Sequence, residues 1–492
     1  MMPALILAAV LWLSSPLHAA AALVVVLAVS RPVIFAVRFA VAPAAARAHY
    51  PGMLRARLRW RWLCRNTVLA PVEVASKNRA AVESDRGVFF GWVLMRTLGT
   101  GLLSLIGVEL AARERSGRVH YPRIRRLRAD AYGWQLTMKT VPRTGRREVE
   151  RAAPWIADSW RCKRVAVSQP KPGRVIVRGI RRDPLALKFG AEGAPAGQYE
   201  HADPANPYLG LSEWADQRFL SLAGQTGIIV GGLPGRGKTS LTGSLLAQWA
   251  GWPAVQFAIA DGKGSDDYAD WAGRAWLTCG DDLAGAVKFF EACHALMKLR
   301  LSVAQARTGV KNTWHLGPSQ AWPLVVVIVD ECQQFLDGQA VKGRKPDEEQ
   351  VRKCQFYVSQ LVRKSRSVMM VTILATQKPT IDSIPSGIRD NAGISLAFGV
   401  KTVESATAVL GADIRDYASF SPVGLQADEL VGCLTSTLKT GADPFTRIRV
   451  PEITPDQAAA RARETAHLRR DPFGLLAETA GPVVAEPEMA GV

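Results

Sequence analysis

Gly232, Gly237, Lys238 and Thr239 occupy the fixed positions of the pattern GxxxxGK(S/T) in the run "GLPGRGKTS", Gly232 to Ser240. Glycines let a backbone wrap so that successive N–H groups point at phosphate oxygens, and a helix opening behind them adds the positive end of its dipole. Leu233, Pro234, Gly235 and Arg236 fill the loop, so the whole run from Gly232 to Ser240 is expected to cradle the phosphates of a nucleoside triphosphate, ATP. Lys238 is expected to reach the β- and γ-phosphates, and the Thr239 hydroxyl to ligate Mg2+.

A second group with chemistry ends the run "PLVVVIVDECQQFL". Asp330 and Glu331 follow a continuous β-branched stretch, the pattern of a fully buried parallel strand, and open α/β sheets place their ligands at such strand ends. Asp330 is expected in the Mg2+ shell and Glu331 as the general base on the attacking water. "VMMVTILATQKPT" likewise ends in a polar group, Gln377, positioned to touch both γ-phosphate and water.

The elements that must hold these groups follow from the flanks. "GIIVG" reads as a strand before the loop and "SLTGSLLAQWA" as an amphipathic helix after it. "AVQFAIADGKGSDD" and "ISLAFGV" supply further strands, giving four or five parallel strands alternating with helices. The expected fold class is α/β: a RecA-like P-loop NTPase with a parallel doubly wound sheet, preceded by a small α/β domain and an N-terminal membrane segment.

That membrane segment is Pro3 to Val29, apolar for longer than the roughly 20 residues a spanning helix needs, with His18 as its one ionisable side chain. A cleaved signal peptide is the rival, weakened by the lack of a basic n-region. The cluster "RARLRWRWLCR" (Arg55 to Arg65) is cytoplasmic by the positive-inside rule and also suits anionic lipid. A second apolar run, Gly87 to Leu110, carries Arg96 near its middle. With cluster and ATPase both cytoplasmic, an even number of spans separates them, so this run reads as interfacial, re-entrant or a buried helix. The expected location is the cell membrane, ATPase on the cytoplasmic side.

The net charge is +19 over 492 residues, which favours an anionic partner: nucleic acid, a membrane surface, or both. Seven cysteines are scattered without metal-type spacing, indicating a reduced chain with no zinc site. The expected domains are 1–46 (anchor, one span or a hairpin), 47–118 (basic juxtamembrane region), 119–190 (small α/β domain), 205–450 (ATPase) and 451–492 (helix and tail). In the small domain "RERSGRVHYPRIRRLR" reads as a connector, "WQLTMKT", "RVAVSQ" and "RVIVRGI" as strands, and "REVERAAPWIADSW" as a helix with Ala152, Ile156 and Trp160 on one side. Its arginines read equally as DNA-facing or as ordinary edge-strand charges.

The blocks "GGLPGRGKTS", "FAIADGKG", "VVVIVDECQQF", "LVRKSRSVMMVTILATQKPTIDSIPSGIRDN" and "SATAVLGAD" resemble, in order and spacing, the FtsK/SpoIIIE family of hexameric DNA-pumping ATPases. The resemblance covers Gly210 to Val450, and the membrane segment makes the chain look most like actinobacterial TraB-type conjugative transfer proteins. It implies a homo-oligomeric ring, six-membered in the family, around double-stranded DNA, with ATP between neighbours and a cation from one subunit completing the next one's site. Arg389 in "IPSGIRDN" and Arg366 in "KSRS" are the candidates for that cation. Many members carry an arginine before the strand read here as "SLAFGV"; this chain has Ser395. Some relatives append a winged helix, for which the residues after Pro451 leave no room.

Three functions are open at this point. A membrane-anchored, ATP-driven DNA translocase, acting in conjugative transfer or chromosome segregation with transfer or recombination partner proteins, accounts for the charge and the family blocks. A protein-export ATPase of the type VII secretion kind shares the motor but usually strings several ATPase domains together. An ATP-dependent assembly scaffold is the third.

Overall fold

The computed structural model describes residues 34, 36–69, 72–73, 118–119, 121–141, 144–186, 188, 203–380, 382–439 and 443–478. Both apolar runs read as membrane-associated, Pro3 to Val29 and Gly87 to Leu110, lie outside them. Among the described residues no helix is long and apolar enough to cross a membrane. The chain divides between Asp183 and Pro184 into two compact units.

The smaller unit is a four-stranded antiparallel sheet backed by helices. Helices α1 (Tyr50–Leu58) and α2 (Trp60–Arg65) come from the segment expected beside the membrane. Strands β1 (Arg123–Ala129) and β2 (Gly133–Lys139), helix α3 (Arg146–Trp160), and strands β3 (Arg164–Lys171) and β4 (Arg174–Ile180) follow. The sheet order is β1-β2-β4-β3. Val149, Ala152, Ile156 and Trp160 recur at helical spacing on α3, and all four are buried against Leu136, Met138, Val175 and Val177. Trp60 and Leu63 join the same core, and the Trp60 indole donates to Pro122 O at 2.8 Å. The basic segment from Arg55 to Arg65 is thus two short helices that give Ala56, Trp60, Leu63 and Cys64 to this core while Leu58 and Trp62 stay exposed. The connector expected up to Arg128 contains β1 instead. Its core residues Ile124 and Leu127 are three apart, which straight alternation forbids, and a bulge between Ile124 and Arg126 absorbs the extra residue. Between β3 and β4 Pro172 and Gly173 make the turn, Gly173 at φ 76°.

The larger unit is built on one ten-stranded sheet. Its strands are β5 (Tyr208–Ser212), β6 (Gln217–Phe219), β7 (Gly227–Gly231), β8 (Val255–Asp261), β9 (Leu277–Cys279), β10 (Leu324–Asp330), β11 (Met370–Thr376), β12 (Ile394–Phe398), β13 (Cys433–Ser436) and β14 (Thr446–Arg449). They lie in the order β9-β8-β10-β11-β7-β12-β13-β14-β5-β6. From β9 to β12 every neighbour pair is parallel; from β12 to β6 every pair is antiparallel. The sheet is therefore mixed, six parallel strands extended by four antiparallel ones, rather than the wholly parallel sheet expected. All seven residues of β10 are buried, and each Val or Ile there contributes about 1.5–3 kcal/mol by leaving water. Helix α4 (Lys238–Ala250) follows β7; α5 (Leu283–Thr308) packs on α6 (Lys345–Lys364), which leads into β11.

Candidate nucleotide site

Parallel strands carry their carboxyl ends to one edge, and β7, β8, β10 and β11 all end there. Gly231 pairs with Thr376 in register, and Asp261 pairs with Asp330. The loop after β7, the acids after β10 and Gln377 after β11 therefore meet at one edge.

The loop is held by its own backbone. Gly232 N donates to Thr376 O at 3.2 Å, Leu233 N to Gly399 O at 2.9 Å, and Gly432 N to Arg236 O at 3.1 Å. Two glycines are dictated by space as well as torsion. A Cβ on Gly232 would lie 2.6 Å from Phe398 Cβ, and one on Gly237, at φ 109°, would lie 3.0 Å from Gly432 Cα. Gly237 is the N-cap of α4, and no side chain caps it, so the first amides of the helix stay available to an anion.

Lys238 opens α4 and is only 5% exposed. Its ammonium donates to Gly232 O at 2.9 Å and Leu233 O at 3.1 Å. Burial pulls its pKa below the ordinary lysine value, against the upward pull of Glu331 and Asp330. Lys238, Thr239, Ser240, Pro234, Gly235 and Gln377 line a cavity of about 390 Å3. Arg236 turns away, its guanidinium 3.7 Å from Asp428 and 3.4 Å from Ala427 O.

Asp330 and Glu331 are 4% and 5% exposed. Burial, then the adjacent Glu331 carboxylate, lifts the Asp330 pKa to about 6. Glu331 adopts φ 44°, a strained backbone for a non-glycine residue and one that recurs at functional sites. Its Oε2 accepts from the Gln333 amide at 2.6 Å and from Gln377 N at 3.0 Å, while Gln333 Oε1 accepts from the Thr376 hydroxyl at 2.7 Å. Its Oε1 is buried without a hydrogen-bond partner. A buried acid pair with an unused carboxylate oxygen, within electrostatic reach of a buried ammonium on the cavity wall, fits a magnesium nucleotide. Among the described residues no cluster of three or more His, Cys, Asp or Glu side chains could hold a metal by itself.

Arg366 and Arg389 are not brought to the loop. Arg366 is exposed in the turn Ser365–Ser367 before β11, and Arg389 ends the short helix Ser386–Arg389 before β12. Both therefore precede the amino ends of strands that flank β7, at the edge opposite the cavity. Arg389 lies 3.8 Å from Asp390, and Arg366 O accepts from the Trp314 indole at 2.7 Å. The cavity wall also holds three cations that the motif does not mark, Lys188, Lys263 and Arg449. Lys263, in a Gly-Lys-Gly turn after β8, pairs with Asp267 at 2.8 Å, and Asp261 fixes that turn by accepting from Lys263 N and Ser265 N, each at 3.0 Å. The Arg449 guanidinium donates to the carbonyls of Leu185, Val431 and Glu429. Only the strand-end position of "DGKG" could have marked Lys263; Arg449 arrives through the antiparallel strands.

No protein-family model matches the chain, and no curated protein matches it. Among solved structures, the pCW3 conjugation coupling protein TcpA, in monomer form with ATPgS, is 16% identical over 73% of this chain and 94% of its own, with a TM-score of 0.47. The cytoplasmic domain of the type VII secretion ATPase EccC from Thermomonospora curvata is 16% identical over 60% of this chain and 34% of its own, at 0.44. EssC (ATPases 2 and 3) from Geobacillus thermodenitrificans is 17% identical over 57% and 51%, at 0.38. Likeness at these levels assigns no substrate or partner to this chain. By its phosphate loop, its central parallel strands and its buried acid pair, the larger unit is a P-loop ATPase.

Proposed function

We propose that this chain is an ATP-driven motor that moves double-stranded DNA, working as a homo-oligomeric ring at the cell membrane with its ATPase unit on the cytoplasmic side. One arrangement supports the chemistry: Lys238, on the wall of the cavity at the carboxyl edge of the parallel strands, is buried within electrostatic reach of the buried pair Asp330 and Glu331. The DNA cargo and the ring are supported by the +19 charge and by the sequence blocks resembling DNA-pumping ATPases. The membrane location is supported by the apolar run from Pro3 to Val29.

In this mechanism the loop amides and the start of α4 bind the phosphates, and Lys238 exchanges two neutral carbonyls for charged oxygens. The Thr239 hydroxyl and Asp330 would hold a magnesium ion, which would supply charge neutralisation at the transferred phosphoryl group. Glu331 takes the proton of the attacking water at Oε1, while Gln333 and the Gln377 amide hold Oε2 in place. The Gln377 side chain, on the cavity wall, senses the γ-phosphate and passes its presence to Glu331 through the same residue's amide. Arg366 and Arg389, at the edge opposite the chain's own loop, are the candidates for a cation that completes a neighbouring subunit's site.

The test is ATP turnover by the full-length chain with and without linear duplex DNA across a salt series. Strong stimulation that fades as salt rises supports the motor. Robust turnover indifferent to DNA would favour a polypeptide-exporting ATPase instead.

A further inference from the structure

The open face of the smaller unit's sheet carries a row of like charges that folding alone does not explain. In register across the four strands stand Arg123 on β1, Lys139 on β2, Arg174 on β4 and Lys171 on β3. All four are exposed. Like charges placed directly opposite one another in a sheet destabilise it by a few tenths to about 1 kcal/mol per pair. The strands contain four arginines in β1, one lysine in β2 and two cations in each of β3 and β4, with no acidic residue in any of them. Among the described residues the unit's ion pairs are Arg146 with Glu150, Arg164 with Asp183 and Arg178 with Asp130, and none involves the row. The bulge in β1 adds a further cation, Arg125, beside Arg126 and Arg128 at a groove of about 460 Å3 on this face.

We infer that this face is a second nucleic-acid surface, one that grips the phosphate backbone of duplex DNA. Three strand spacings give the row a length of about 14 Å. That is about four phosphate-to-phosphate steps along the axis of one DNA strand. The other outward residues in register, Ala166, Ser168, Gln135, Thr137, Ile176 and Arg178, include no aromatic ring. A surface for unpaired bases needs such rings to stack on, whereas backbone contact needs only cations and small polar groups. A membrane-seated face would insert several large apolar side chains, and beside the small Ala166 and Pro170 this one offers Ile176. The apolar side chains of the sheet are spent on the other face, against α3.

The experiment measures binding of the full-length chain to a fluorescent linear duplex across a salt series, for the unaltered chain and for a variant combining Arg123→Gln, Lys139→Gln, Lys171→Gln and Arg174→Gln. The four substitutions are expected to lower duplex affinity about 10- to 100-fold at low salt and to cut the log–log salt slope by about 3 to 4. Basal ATP turnover should stay unchanged, and an Arg123→Lys, Arg174→Lys variant should keep wild-type affinity, because the row acts through charge. Unchanged affinity and slope in a quadruple variant with full basal turnover would overturn the inference. So would loss of binding to phosphatidylglycerol-rich vesicles with duplex affinity intact, which would make the face a lipid contact. The binding draws nothing from the ATPase cavity: if DNA fails to stimulate turnover yet the quadruple variant loses duplex affinity, the motor reading falls and this one stands.

Discussion

The backbone amide of Gln377 donates to Glu331 Oε2 at 3.0 Å, so the residue that ends one central strand fixes the carboxylate that follows its neighbour. Gln333 holds the same oxygen from the other side at 2.6 Å and is itself held by Thr376. The carboxylate proposed as the base is thus aimed by groups that need not touch the nucleotide. Glu331→Gln should retain ATP binding while turnover falls at least about 100-fold, the usual scale for removing a general base. Gln333→Leu should lower turnover about 10-fold and leave the affinity for a fluorescent ATP analogue within about 2-fold, since it disturbs only the aim of the base. A Gln333→Leu variant that loses nucleotide affinity as much as turnover would show that the side chain supports the loop instead.

Lys238 separates binding from chemistry differently. Its ammonium is buried and satisfied by two loop carbonyls in the nucleotide-free chain, so Lys238→Ala leaves a hole in the cradle as well as removing a charge. Turnover should disappear, and affinity for ATP should fall at least about 10-fold, the scale of one lost charged hydrogen bond. Unchanged turnover would remove the site assignment altogether.

Much of this site could be read before folding. The motif from Gly232 to Ser240 has fixed spacing because phosphate geometry is fixed, and the run into Asp330 and Glu331 shows its burial in uninterrupted β-branched residues. Ala152, Ile156 and Trp160 announced their helix for a comparable reason, a period that matches the α-helix. What stayed hidden depended on tertiary pairing. "CLTS" and "TRIR", the strands β13 and β14, are too short and too polar to show a period, so the antiparallel half of the sheet and Arg449 with it went unforeseen. "RIRRLR" looked like a connector because a bulge breaks its alternation. Trp60 and Leu63 looked like neighbours of a membrane because their packing partners lie far along the chain.

Asp330 gives the nucleotide-free chain a pH dependence of a defined sign. Its folded pKa of about 6 lies above the ordinary aspartate value of 3.8, so between these values the folded chain keeps a proton that the unfolded chain releases. Stability is therefore highest below the unfolded value and is lost as pH rises through the folded one, by about 1–3 kcal/mol at neutral pH. Asp330→Asn should flatten that part of the melting-temperature profile between pH 4 and 7 and raise the neutral-pH melting temperature of the nucleotide-free protein. The same variant should lose the magnesium dependence of ATP binding. A variant as pH-sensitive as the parent would place the titrating group elsewhere.

The opposite-edge position of Arg366 and Arg389 makes a prediction that only a ring can satisfy. A cation acting within its own chain must come near its own loop, and both arginines precede the amino ends of strands whose carboxyl ends carry the site. Arg389→Ala or Arg366→Ala should lower turnover by about 1,000-fold or more if that residue completes a neighbour's site. Mixing settles whose site it completes. Chains carrying Arg389→Ala keep Glu331 but lack the cation, and chains carrying Glu331→Gln keep the cation but lack the base. In a randomly mixed ring about a quarter of the interfaces join an intact base to an intact cation, because a head-to-tail ring pairs unlike faces of adjacent subunits. Turnover of the equal mixture should therefore rise well above that of either variant alone, to a sizeable fraction of the parent. If the mixture is as inactive as its components for both arginines, neither completes a neighbour's site, and Lys188, Lys263 or Arg449, already on the cavity wall, becomes the candidate for the cation that stabilises the transferred phosphoryl group.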